Sequence, residues 1–163
     1  MKPTTKLTVP LVTQRPELPT GSAITAVTMM LQYAGAKVDK MNLADEMNRA
    51  ANPNDGFVGD PAKPDGQGID PKGLLPLVSQ YIGAAVDLTG ADLTELEATI
   101  ATGKPVVVWM GNFDGFDSHA LLVTGYDDDF IYFNEPWTAR QDSLPKHKFE
   151  ASWQRAAHKA MSY

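Results

Sequence analysis

The feature that most constrains this chain is a change of period near its middle. Up to residue 103, apolar residues recur at helical spacing; from Val106 onward they come in blocks of strand length. Val106-Val107-Val108-Trp109-Met110 is continuously apolar, which predicts a strand covered on both faces and therefore central in its sheet. The stretches 120–126 and 130–133 follow, joined through Asp127-Asp128-Asp129, and read as a hairpin. Helices first and strands afterwards describe an α+β domain, not an alternating parallel sheet. At 163 residues, one domain spanning 1–163 is expected, long enough to bury a core without staples.

In the first half, Leu7-Thr8-Val9-Pro10-Leu11 reads as a short extended run whose proline suits a sheet edge. Arg15-Pro16-Glu17-Leu18-Pro19 makes a rigid approach to a helix, with Thr20 as N-cap, Ile24, Val27 and Leu31 on its apolar stripe and Gly35 at its end. Asn42 is read as the cap of a second short helix through Arg49. The stretch 51–70 is rich in Gly, Pro, Asn and Asp, with Phe57 and Val58 as apolar exceptions. A loop of that length is uncommon inside a compact domain and is often functional. Asp70 as cap with Pro71 opens a third helix through Ile82. Asp92 opens a fourth, carrying Leu93, Leu96 and Ile100 to Gly103, and 149–161 reads as a closing amphipathic helix.

Composition excludes several classes. A formal net charge of −6 without any Lys/Arg cluster argues against nucleic acid. Cysteine is absent, which removes disulfides, thiolate metal sites and cysteine nucleophiles together. Met1 to Leu11 has no apolar run of signal-peptide length, and no stretch approaches the roughly 18 apolar residues of a membrane span. A soluble, cytoplasmic protein without membrane insertion is expected, or a secreted or cell-surface one if the sequence has been trimmed. Asp114, Asp117, His119 and Asp127 to Asp129 lack metal-ligand spacing, so neither metal nor cofactor is expected.

The positions that could carry chemistry are few. Ser22 falls in the first turn of the leading helix, where backbone N–H groups are unpaired and the dipole favours negative charge. Gly21 permits close approach of another backbone. Taken alone, Ser22 is more simply read as supporting the helix cap, since serines are common at helix starts. His119 opens a strand, where it can be a general base or an ordinary satisfied imidazole. Asn134 and Glu135 end the next strand. If the hairpin turns at 127–129, one of them lies beside His119 and can orient it, as the third member of a triad does. His147 and His158 are given no role.

A nucleophile at a helix start, a histidine from the sheet and an orienting partner on the next strand make a papain-like constellation. At that point the chain resembles the family-39, bacteriocin-processing cysteine peptidases, and especially their free-standing C39-like relatives, over nearly its whole length. The matching stretches are Val9-Pro10-Leu11-Val12-Thr13-Gln14, Pro16-Glu17-Leu18-Pro19-Thr20-Gly21, Thr25-Ala26-Val27-Thr28-Met29-Met30-Leu31, Asn52-Pro53-Asn54-Asp55-Gly56-Phe57-Val58-Gly59-Asp60, His119-Ala120 with Val123-Thr124-Gly125-Tyr126-Asp127, and Phe133-Asn134-Glu135-Pro136-Trp137. The resemblance implies a papain-like fold, its helical part packed through the nucleophile-bearing helix on a C-terminal antiparallel sheet. It implies Gln14 as the oxyanion-hole side chain, Ser22 at the nucleophile, His119 as base and Glu135 at the usual aspartate. Gly21, Phe57, Gly59, Asn134 and Trp137 would contact substrate, an extended peptide or protein segment.

Three departures from the family pattern bear on mechanism: serine stands for the cysteine, Ala23 for the acidic residue that commonly follows it, and Glu135 for aspartate. A thiol with a free pKa of about 8.5 ionises beside histidine, whereas a hydroxyl must lose its proton during attack. An angstrom of misplacement from the longer Glu135 side chain can cost on the order of a hundredfold in rate. Absent or feeble peptidase activity with a retained peptide groove is the expectation. The serine is either natural, as Ala23 and the lack of cysteine favour, or a substitution used to trap an enzyme. Two other readings stand beside it: a working serine- or cysteine-dependent amide hydrolase, and a structural partner-binding module in which Trp109, Trp137 and Phe57 line an apolar groove. Trp109 is expected in the core.

Overall fold

The computed structural model describes residues 4–163 and contains helices packed on an antiparallel sheet. Met1, which opens the segment searched for a signal peptide, lies outside the described residues. Strands β1 (Thr5–Lys6), β2 (Val86–Asp87), β3 (Val106–Phe113), β4 (Phe116–Tyr126), β5 (Phe130–Glu135), β6 (Arg140–Pro145) and β7 (Ala160–Ser162) form the sheet, in the order β2-β7-β3-β4-β5-β6. β1 pairs with β4 at Thr5↔Tyr126 and Lys6↔Gly125, just beyond the start of β3 at Val106↔Val123. All these pairs are antiparallel.

The apolar run Val106 to Met110 lies inside β3, held between β7 and β4. Alternation then divides the core. Val107, Trp109, Ala120 and Leu122 face helices α1 (Ser22–Tyr33), α2 (Lys40–Glu46) and α3 (Pro71–Ile82). Val106, Val108, Met110, Leu121 and Val123 face α4 (Leu93–Ala101) and α5 (Lys146–Arg155) through Leu96, Ile100, Phe149 and Trp153. Helix α1 is buried on every side from Ala23 to Leu31, so its two threonines return their hydroxyls to the helix, Thr25 to Gly21 O at 2.8 Å and Thr28 to Ile24 O at 2.7 Å. No helix among the described residues is long and apolar enough to cross a membrane.

Several local expectations are corrected. The edge pairing begins two residues before the stretch 7–11, in β1, and Leu7 continues it by donating its N–H to Thr124 O at 2.8 Å. Asp39, not Asn42, caps α2, accepting the Asn42 N–H at 2.8 Å, and the helix ends at Glu46. Gly21 is the N-cap of α1, with no side-chain cap bond. Thr20 instead donates its hydroxyl towards the carbonyls of Lys63, Pro61 and Asp60, at 2.8, 3.2 and 3.3 Å, which fastens the 51–70 loop to the helix start. The closing helix stops at Arg155, where Ala157 and His158 turn left-handed, φ 57° and 53°, and the chain re-enters the sheet as β7. β6, unforeseen, pairs along its whole length with β5.

Candidate active site

The N-terminal approach is fastened to the end of β5. Gln14 N–H donates to Pro136 O at 3.0 Å and Arg15 Nε to Trp137 O at 2.9 Å, with the Arg15 guanidinium 4.5 Å above the Trp137 ring. Beyond that clamp the chain turns through Gly21 into α1. A Cβ on Gly21 would sit 2.7 Å from Leu18 Cβ, so the glycine serves the tight packing of this turn. Ser22 is thereby brought against β4, where its Oγ accepts the N–H of Ala120 at 3.1 Å across 98 residues. Residues 22 and 119 therefore line one cleft where the helix tip joins the sheet.

His119 is 2% exposed and pairs through Nε2 with Glu135 Oε1. The ring is further fixed by Phe116, stacked at 4.5 Å between centroids, and Phe113, at 5.8 Å. Glu135 is fully engaged: Oε1 also accepts Trp137 N–H at 2.9 Å, while Oε2 accepts the backbone N–H and the hydroxyl of Thr138, both at 2.8 Å. Burial pushes this carboxyl's pKa up. The bonds from His119, Trp137 and Thr138 outweigh that effect and hold it at about 2, so the group is an anion at neutral pH. With Nε2 committed to Glu135, Nδ1 is the ring nitrogen left for chemistry. Ser22 and His119 share no hydrogen bond.

A cleft of about 700 Å³ runs past these groups, lined by Gln14, Ser22, His119, Trp109 and Trp137, and walled by the 64–70 part of the loop. Gln14 is 1% exposed; its amide nitrogen donates to Leu18 O at 3.2 Å and Pro19 O at 3.1 Å, and its Oε1 has no partner. Reversing the amide would set its oxygen against two carbonyls, so the assignment stands. The first-turn amides of α1, which carry no side-chain cap, are the remaining donors at this end of the cleft.

The structure thus brings Gln14, Ser22, His119 and Trp137 to one cleft, with Glu135 behind the imidazole. It does not bring Phe57, Gly59, Asn134 or Gly21 to the lining. Phe57 is 1% exposed in the core of the helical face. Gly59 is exposed outside the lining, and its positive φ of 93° explains the residue type. Asn134 is completely buried and uses Nδ2 on Val9 O, Pro10 O and Met29 Sδ, a structural knot between the N-terminal segment, α1 and the sheet.

Trp109, weighed as groove or core, is both: it is buried, lines the cleft, and its Nε1 donates to Ile69 O at 2.9 Å, so it fixes the loop wall. Two contributors escaped the sequence reading. Thr138, which holds Glu135, had a signal in its place three residues after an acid at a strand end. The ion pair of Lys159 with Asp70, 3.0 Å apart and on the cleft wall, joins residues 89 positions apart and had none.

Comparison with known proteins gives a consistent result. Residues 6–161 match the sequence model of the Peptidase_C39 like family. The uncharacterized protein YvpB of Bacillus subtilis (strain 168) is 30% identical over a 174-residue alignment, covering 90% of this chain and 70% of that protein. A crystal structure of a Bacillus anthracis protein assigned as a C39-like peptidase superimposes with a TM-score of 0.90 at 31% identity, over 99% of this chain and 98% of that one. A double glycine motif protease from an AMS/PCAT transporter, solved with the leader peptide, shares the fold at a TM-score of 0.65 and 15% identity. The peptidase domain of Streptococcus ComA does so at 0.62 and 16%, and both alignments span 98% of this chain and 96% of the other.

Proposed function

The chain belongs to the peptidase C39-like family, and from that membership we propose that it binds an extended peptide along the cleft beside Ser22 and cleaves it feebly or not at all. Ser22 takes the nucleophile's place, His119 the base's and Glu135 the orienting acid's. The observation that carries the reading is the engagement of the Ser22 hydroxyl: its oxygen accepts the Ala120 N–H and it has no hydrogen bond to His119. A thiolate at this place would be ready to attack, whereas a hydroxyl needs a base in contact with its proton. Gln14 stands beside the site, but its donors are held by Leu18 O and Pro19 O, so oxyanion stabilisation falls to the amides opening α1. Peptide as the ligand class is supported by a protease of the same fold solved with a leader peptide.

The test is turnover of a library of fluorogenic peptides by the unaltered protein, Ser22→Cys and Ser22→Ala. The reading expects little or no turnover by the unaltered protein and a clear gain in Ser22→Cys. Robust cleavage by the unaltered protein, lost in Ser22→Ala, would overturn it.

A second reading, a working serine hydrolase, is favoured by one observation: the His119–Glu135 pair is complete and its acid ionised, as a triad requires. Labelling of Ser22 by a fluorophosphonate would select it; folded protein that resists the probe would eliminate it.

A further inference from the structure

On the other side of Glu135 lies a second cavity of about 380 Å³, sharing no lining residue with the cleft. Its floor is apolar. Phe113 and Phe133 meet edge to face at 6.1 Å, and Leu144 of β6 lies beside them. Glu135 and Thr138 form the back wall. The rim carries charges of both signs: Asp114 from the β3–β4 turn, Asp142 from β6 and Lys148 from the first turn of α5. All three side chains are exposed, and none takes part in an ion pair among the described residues.

The size falls within the usual range of small-molecule sites, which combine an apolar floor with a few placed polar groups. Glu135 cannot itself serve as the ligand's counter-charge, because its two oxygens already accept four hydrogen bonds. The counter-charges available to a ligand are those of the rim: a cation for a carboxylate, and two carboxylates for an ammonium. A ligand carrying a single charge would leave one sign of the rim unused. We propose that this cavity binds a small zwitterion with an apolar side chain, such as a hydrophobic α-amino acid. Its carboxylate would meet Lys148, its ammonium Asp114 and Asp142, and its side chain the Phe113–Phe133–Leu144 floor. The proposal does not rest on the function assigned to the cleft.

Amide NMR titration of the whole chain with L-leucine, L-leucinamide and N-acetyl-L-leucine tests it, since the last two each lack one charge. Saturable shifts are expected around 113–114, 138 and 142–148, with L-leucine binding about tenfold more tightly than either analogue, the value of one charge-assisted contact. Lys148→Glu should weaken L-leucine by a similar factor or more and leave L-leucinamide no weaker; Asp142→Asn should weaken L-leucine and spare N-acetyl-L-leucine. Both substitutions are at exposed positions, so each is a check on the other. Equal binding of the three probes, shifts confined to the cleft, or no saturable shift at tens of millimolar would overturn the proposal.

Discussion

The imidazole of His119 is held to Glu135 through Nε2, so the nitrogen left over on the cleft side of the dyad is Nδ1. Any proton transfer that the proposed function gives His119 would pass through that atom. The state of Glu135 decides whether it is a base at all, because an anionic partner favours a proton on Nε2 and leaves the Nδ1 lone pair free.

Glu135→Gln should make the protein less stable at neutral pH and change its response to acid. The carboxyl sits near 2 in the folded state against an ordinary 4.5. Its stabilising effect is therefore complete above 4.5 and is lost as pH falls from 4.5 towards 2. The gap in Tm between the two proteins should be widest at neutral pH and close over that interval. A gap of constant width from pH 7 to pH 2 would refute the assignment.

Ser22→Ala leaves the Ala120 N–H without its side-chain acceptor, half-way into the protein. A loss of about 1–2 kcal/mol in urea denaturation is expected from an orphaned donor. Ser22→Cys should lose less, since sulfur accepts weakly. It should also acquire iodoacetamide reactivity at neutral pH that His119→Ala suppresses.

Thr20→Val should loosen the loop without disturbing the helix it adjoins. The hydroxyl points its single proton into a group of three loop carbonyls, nearest that of Lys63, while α1 takes no cap bond from it. Faster proteolysis within 51–70, with helical circular dichroism unchanged, is the expected outcome. Gly66→Ala attacks the same seam, since its Cβ would fall 2.2 Å from Thr20 Oγ1 and 2.6 Å from Asp60 O, and should have the larger effect.

In a Ser22→Cys background, Gln14→Ala separates two roles of the glutamine. If the side chain serves only to hold the Leu18–Pro19 turn, stability should fall by about 1 kcal/mol or more while kcat of the residual folded enzyme changes little. A fall in kcat of a hundredfold or more would show that the amide turns to the oxyanion during reaction.

The sequence made the central strand, the hairpin after it and the approach to α1 legible, because each has an unambiguous local signal. β3 opens with the apolar run Val106 to Met110, three aspartates mark the 127–129 turn, and Pro16 and Pro19 flank the approach. β6 was hidden because Arg140-Gln141-Asp142-Ser143 is an exposed edge with no apolar alternation. β7 was hidden because three residues carry no period, and only pairing with β2 and β3 makes them a strand. At the site, residue positions were readable while the direction of polar atoms was not. Thr20 looks like a cap by residue type, and only the loop it meets from forty positions away draws its hydroxyl elsewhere. Asn134 looks like a cleft residue by its place beside Glu135, yet strand alternation turns it to the opposite face, against α1.

The contact between Ser22 and Ala120 also has a bearing on folding. No local segment contains both sides of the cleft, and closing a loop of nearly a hundred residues is entropically slow. The helical half and the sheet can each gain structure early, but the groove between them comes into being only when they dock. A probe that binds there would register the completed tertiary structure and ignore any partly assembled form.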